Sequence, residues 1–184
     1  MCPFCKTVAA LVVCLLISGN AWAQARKTSI SCSADAAGNV LVSFKISGVG
    51  NGDLCVVSSG TFTADCACEN NGGNCPSAAN KQSTAVAEST GQSFQATNGQ
   101  IKGTETLDAP NESACTLTCP SGQSLLLAEV VEPKPITVNV FATGDFTQNG
   151  DTCTPNPGVT PVRMGSCTVR QEVIVFNRAC AALF

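Results

Sequence analysis

Ten of the thirteen cysteines in this 184-residue chain fall between Cys32 and Cys180, behind an N-terminal segment that reads as an export signal. In an oxidising compartment an even set of cysteines defaults to disulfides, which tie distant parts of a fold together whatever the local sequence prefers. The ten are Cys32, Cys55, Cys66, Cys68, Cys75, Cys115, Cys119, Cys153, Cys167 and Cys180, and five bridges are expected, with a connectivity that the spacing does not reveal. Zinc is the competing explanation, through Cys66-Ala-Cys68 with Cys75 or through Cys115 and Cys119. Neither cluster has paired C-x-x-C spacing, and the chain has no histidine to complete a mixed site.

The export signal comprises Lys6, the apolar run Val8–Ile17 and the small residues of Ala21-Trp22-Ala23 at the positions a signal peptidase reads. The sequence therefore divides into a signal peptide, residues 1–23, and a single secreted domain, residues 24–184. Cys2-Pro-Phe-Cys5 copies the frame of a thioredoxin-type redox motif but lacks the strand that precedes such motifs. Cys14 follows the branched Val13, where lipidation needs a small residue. The only tryptophan, Trp22, leaves with the signal.

Beyond the signal, alternation of apolar and polar residues dominates. Val40, Val42, Phe44 and Ile46 alternate with Leu41, Ser43, Lys45 and Ser47, which is the period of a strand with one buried face. The same period occurs over Ile136–Phe141 and Val169–Phe176, with weaker runs at Lys27–Ser33, Leu54–Cys66, Gln82–Ala96, Gly99–Leu107 and Ser124–Val131. Turn residues separate them at Ala37-Gly38-Asn39, Asn51-Gly52-Asp53, Asn98-Gly99, Pro120-Ser121-Gly122 and Asn149-Gly150-Asp151. The expected fold is all-β, a disulfide-stabilised immunoglobulin-like β-sandwich of about eight strands, with a closed barrel as the alternative. Three longer loops, Glu69–Lys81, Asp108–Ala114 and Asp145–Pro161, are where such a fold would carry recognition.

Three motifs share an order with a known group. Asn71-Gly72-Gly73-Asn74 with Pro76, then Asn98-Gly99-Gln100-Ile101, then Cys119-Pro120-Ser121-Gly122-Gln123 leading into Leu125-Leu126-Leu127-Ala128, resemble small secreted bacterial β-rich proteins over roughly Phe62 to Val140. The resemblance implies a single β-rich domain and no particular activity. This chain departs from the pattern by adding Cys75 and Cys115 and by lacking aromatic residues near the cysteine before the glycine loop.

Composition narrows the chemistry. With no histidine and no tyrosine, and its tryptophan in the signal, the mature chain lacks the usual proton shuttle and the best stacking platforms for sugars or bases. Phe44, Phe141 and Phe176 are expected in the core, and Phe62, Phe94 and Phe146 nearer turns. The pair Glu129 and Glu132 is the tightest acidic pair in a strand-like segment, but a spacing of three puts the two on opposite faces. Lys45 and Lys102 stand in no motif that would mark a catalytic base.

Asp145, Asn149 and Asp151 with Gly150 partly mimic a calcium loop, yet Asn156 stands where a bidentate glutamate belongs, so an ordinary Asn-Gly turn is the expectation. No other cofactor is expected. The mature chain carries nine basic against thirteen acidic side chains, which gives no electrostatic basis for nucleic-acid binding, and no later segment is long and apolar enough for membrane insertion. What remains is a secreted, non-catalytic protein acting on an extracellular protein or glycan, as an adhesin, effector or hydrolase inhibitor would. The alternatives are a self-associating subunit of a surface layer or fibre and, behind it, a secreted hydrolase without a histidine base.

Overall fold

The computed structural model describes residues 27–76, 80–169 and 173–184. The segment expected to be an export signal, with Cys2, Cys5, Cys14 and Trp22, lies outside the described residues, as does 170–172 within the expected strand Val169–Phe176. In chain order the strands are β1 (Thr28–Ala34), β2 (Val40–Ser47), β3 (Gly52–Asn70), β4 (Lys81–Ala96), β5 (Gln100–Leu107), β6 (Gln123–Val131), β7 (Ile136–Phe141), β8 (Phe146–Asn149), β9 (Thr152–Pro155), β10 (Arg163–Cys167) and β11 (Val173–Val175), followed by a short helix α1 (Arg178–Ala181). The fold is an all-β sandwich. A small antiparallel sheet, β1-β2-β5, faces a large one ordered β10-β7-β3-β4-β9-β8, in which β6 also pairs with β3, on the same edge as β7, and β11 flanks β6.

β3 organises the large sheet. It runs nineteen residues and pairs with β4 along one edge; along the other it pairs with β7 at Cys55–Ser59 and with β6 at Thr63–Asn70. β6 and β7 are therefore one strand, broken at 132–135. Pro133 packs over Gly60 at the break, where an added Cβ would come within 2.7 Å of the proline ring. The even-numbered side chains Leu54, Val56, Phe62, Ala64 and Cys66 face the core and meet Val40, Val42, Phe44 and Ile46 of β2, Ile101 and Leu107 of β5, and Ile136, Val138 and Val140 of β7. This is what strict alternation on β2 and β7 requires when two sheets share one interior.

Ten cysteines form five bridges among the described residues. Cys32–Cys167 joins β1 to β10, the edges of the two sheets on one side of the sandwich. Cys66–Cys115 and Cys68–Cys119 fasten the chain between β5 and β6 to the inner face of β3, while Cys55–Cys153 and Cys75–Cys180 act on its outer side. Their sequence separations run from 49 to 135 residues, so in the chain-entropy picture each stabilises the fold by about 3–5 kcal/mol.

Several expectations change. The described residues hold eleven strands against the expected eight or so, because the expected loop Asp145–Pro161 contains the β8–β9 hairpin and β10 follows it. Both hairpin strands are largely exposed, so no apolar alternation marks them. Phe62 is fully buried rather than turn-exposed, and Phe94 meets Phe44 edge-to-face with ring centroids 5.1 Å apart. Phe176 is 53% exposed instead of core, because it lies just past the end of β11.

One inward position of β5 is charged. Glu105 is 1% exposed; its Oε2 accepts from the Ser58 hydroxyl and its Oε1 from the Gln92 N–H at 3.1 Å. Burial pushes its carboxyl from 4.5 up to about 7, against the opposing pull of those hydrogen bonds. The folded chain thus holds a proton there that the unfolded chain has released between those two values. Stability should fall as pH rises through that window and level off above it, by about 3 kcal/mol in total. Glu105→Gln should remove this slope and raise the melting temperature at pH 8, as checked by thermal unfolding from pH 4 to 9. Gly103 lies beneath the Phe44–Phe94 pair, and a Cβ there would collide with the Phe94 ring. Gly103→Ala should cost about 2 kcal/mol of stability, read as a lower urea midpoint at constant m.

Candidate functional site

The odd-numbered side chains of β3 build the outer face of the large sheet, and each end of that face carries its own small apolar cluster. At one end, Cys55 and Phe141 pack with Cys153, Val57, Phe146 and Val159 beneath the β8–β9 hairpin. At the other, Ala67 and Ala128 pack with Cys180, Cys75 and Leu126 beneath α1. A bulge makes the second cluster possible. Asp65 pairs with Glu129 and Cys66 with Leu127, so Ala128 is the extra residue and lies on the outer face with Glu129. The Ala128 carbonyl accepts from the N–H groups of Phe176 and Asn177, which seats the C-terminal segment, and Asn177 caps α1 while donating to Glu69. Lys81 adds a contact to the Leu183 carbonyl at 2.6 Å and lies over the Phe184 ring.

Between these clamps the outer face is an open floor of small, mostly polar side chains. Strand register sets Thr137, Ser59 and Ser89 in one row, Thr61 and Ala87 in the next, Val131, Thr63 and Ala85 in a third, and Glu129, Asp65 and Ser83 in a fourth. Ser59 and Thr137 share a hydrogen bond of 2.8 Å. A shallow depression of about 480 Å³ opens over the floor beside Lys134, Pro135 and Glu88. The fourth row differs in kind, since two carboxylates face each other there. Asp65 is 5% exposed with no hydrogen-bond partner for Oδ1, and Glu129 is held above the usual carboxylate range by burial and then by the charge of Asp65.

The floor ends at an open strand edge. Among the described residues, apart from β3, β4 pairs with another strand only at Gln92, opposite Thr152 of β9, and Ser93 N–H donates to the Asp151 carbonyl. By the two-residue period, the main-chain groups of Ser83, Ala85, Ala87 and Ser89 point the same way. Among the described residues no strand covers them. The edge ends where Gln82 hydrogen-bonds Thr116 through both its side-chain amide and carbonyl. Roughly 30 Å of strand from Ser83 to Gly91 is thus available for pairing.

The sites anticipated from sequence scatter. Asn149 and Asp151 occupy the β8–β9 turn, whereas Asp145 precedes the other end of β8, about 13 Å away along the strand. The three do not converge, and among the described residues no group of three or more His, Cys, Asp or Glu side chains is placed to hold a metal. Glu129 finds its acidic neighbour in Asp65 across the sheet rather than in Glu132, which is buried at the break before β7. Lys45 and Lys102 stand opposite each other on the exposed face of the small sheet.

In the loop Glu69–Lys81, the Asn70 side chain accepts from the N–H groups of Gly72 and Asn74, and Cys75 is bonded to Cys180. The loop Asp108–Ala114 ends in a 3-10 turn and walls an apolar cleft of about 350 Å³ with Ala37, Leu127 and Phe176. Across that cleft Asp35 has its carboxyl lowered, chiefly by the Asn39 side-chain amide, and so fixes the β1–β2 turn.

The three motifs that resemble secreted bacterial proteins lie at turns. Each contributes a glycine of positive φ, namely Gly73, Gly99 and Gly122, so what they share is chain reversal around β3, β4 and β6. In comparisons with known proteins, no family, no curated protein and no solved structure matches this chain.

Proposed function

We propose that this chain is an exported, non-catalytic subunit that assembles outside the cell by pairing the open edge of β4 with the same edge of a second copy. Five disulfides suit an oxidising compartment, and among the described residues no helix is long and apolar enough to cross a membrane. The open edge of β4 is the observation that supports assembly. Natural edge strands are guarded by lysines, prolines, bulges or covering loops. From Lys81 to Gly91 the sequence KQSTAVAESTG has no proline and only two charges, Lys81 before the open stretch and Glu88 within it. Its outward side chains are serine and alanine, small enough for two sheets to meet edge to edge without steric conflict. A two-fold contact centred on Ala85 sets Ser83 opposite Ala87 and makes one continuous antiparallel sheet from two molecules, a self-complementary geometry.

A second reading, recognition of another extracellular protein, is favoured by the β8–β9 hairpin, which Cys55–Cys153 presents as a fixed projection.

Sedimentation velocity on the disulfide-intact mature protein, from micromolar to millimolar, tests the assembly. Wild type should associate with rising concentration. Ala87→Pro removes one edge N–H while sparing the bonds to β3; it should weaken association at least about tenfold and leave the melting temperature within a few degrees. Ala87→Ser, which keeps the N–H, should behave as wild type. A wild type that stays monomeric throughout, or an Ala87→Pro variant that associates equally well, would overturn assembly through β4.

A further inference from the structure

The geometry points to a divalent-cation site of the calcium class at Asp65 and Glu129, on the outer face of the large sheet. The two residues sit directly opposite each other on antiparallel β3 and β6, where like charges repel. Both side chains project to the same face because Ala128 is bulged, and a bulge is a common device for re-aiming a side chain. Asp65 is 5% exposed and its Oδ1 has no hydrogen-bond partner. A buried carboxylate oxygen is expected to be satisfied, and an orphan facing a second carboxylate is what a cation would resolve.

Among the described residues none supplies that cation. Lys81, one step along the same face opposite Ala67, is committed to the Leu183 carbonyl and the Phe184 ring. Glu129 lies above the usual carboxylate range, first from burial and then from the charge of Asp65, in keeping with an uncompensated pair. Ser83, opposite Asp65 on β4, adds a hydroxyl oxygen to the same row. Such an all-oxygen set suits a hard ion, and with only two carboxylates the ion keeps several waters. Affinity then belongs in the range of extracellular modules, with Kd about 10⁻⁴–10⁻³ M. The site is separate from the β8–β9 turn and does not depend on assembly through β4. Its place beside the C-terminal clamp gives it a structural consequence: an ion there ties β6 and β3 together just where α1 is seated.

Calorimetric titration of the mature, disulfide-intact protein with calcium chloride, and in parallel with magnesium chloride, is the test, together with melting temperatures. For wild type, calcium should bind with Kd about 10⁻⁴–10⁻³ M. At 10 mM it should raise the melting temperature by about 5 °C, reversibly on adding chelator. Asp65→Asn and Glu129→Gln should each abolish both signals, and each should melt higher than wild type without calcium because the repulsion is gone. Asp145→Asn should respond as wild type. Glu129 is only half-buried, so its variant tests the site even if Asp65→Asn folds poorly. Absence of heat and of any melting shift in wild type, or a response retained in Glu129→Gln, would overturn the site.

Discussion

Everything in this sandwich is hung on β3, which is hydrogen-bonded along both edges for almost its full length. A strand of that span, buried between neighbours, alternates between two faces, and both faces are used. Its even-numbered residues carry the central core and two cysteines, Cys66 and Cys68, that hold the chain between β5 and β6 from inside. Its odd-numbered residues carry Cys55, which holds the hairpin from outside, and Ala67, which receives the C-terminal helix. A one-residue slip of β3 would exchange these sets and place each of its cysteines out of reach of its partner. The disulfides and the hydrophobic pattern therefore specify the same register.

That agreement explains how the outer face came to be open in the middle. The two outer clusters are small, and neither would hold a hairpin or a four-residue helix in place by burial alone. Cys55–Cys153 and Cys75–Cys180 supply what the burial lacks, so cover is confined to the ends, where the cysteines are. Between them the sheet needs no apolar lid, and serine, threonine and alanine suffice.

Where a side chain's burial follows from its own strand, the sequence was a good guide. β2 and β7 alternate so strictly that their inward sets could be named residue by residue, and all-β architecture followed from their repetition. β8 and β9 escaped because a hairpin lying over one end of the outer face has little to bury; only the Asn149-Gly150 turn betrays it. The pairing of Asp65 with Glu129 was hidden for a different reason. Sixty-four positions separate them, and their meeting depends on strand order and on a bulge at Ala128 that no local pattern announces. Counting neighbours along the chain joined Glu129 to Glu132 instead, and the break between β6 and β7 sends Glu132 inward. Glu105 shows the same limit: the structure places it on the inward face of β5, and nothing nearby in the chain supplies its partner Ser58 from β3.

The two sides of the sandwich have been treated in opposite ways. On one, β1 and β10 end the two sheets and are joined covalently through Cys32 and Cys167, with Ile30 packed against Gly165, so the edges face each other rather than a new partner. On the other, β4 ends at an edge that β9 touches at a single residue pair. A chain with ten bridged cysteines had the chemistry to close both sides. It also had cheaper means, because a lysine or proline at Ala85 or Ala87 would disturb nothing in the core: both side chains point to solvent and the bonds to β3 come from their neighbours. Neither device is present over roughly 30 Å of strand. An exposed and unguarded edge is a standing aggregation hazard, and its presence beside a covalently closed one is the physical argument for the proposed pairing at β4.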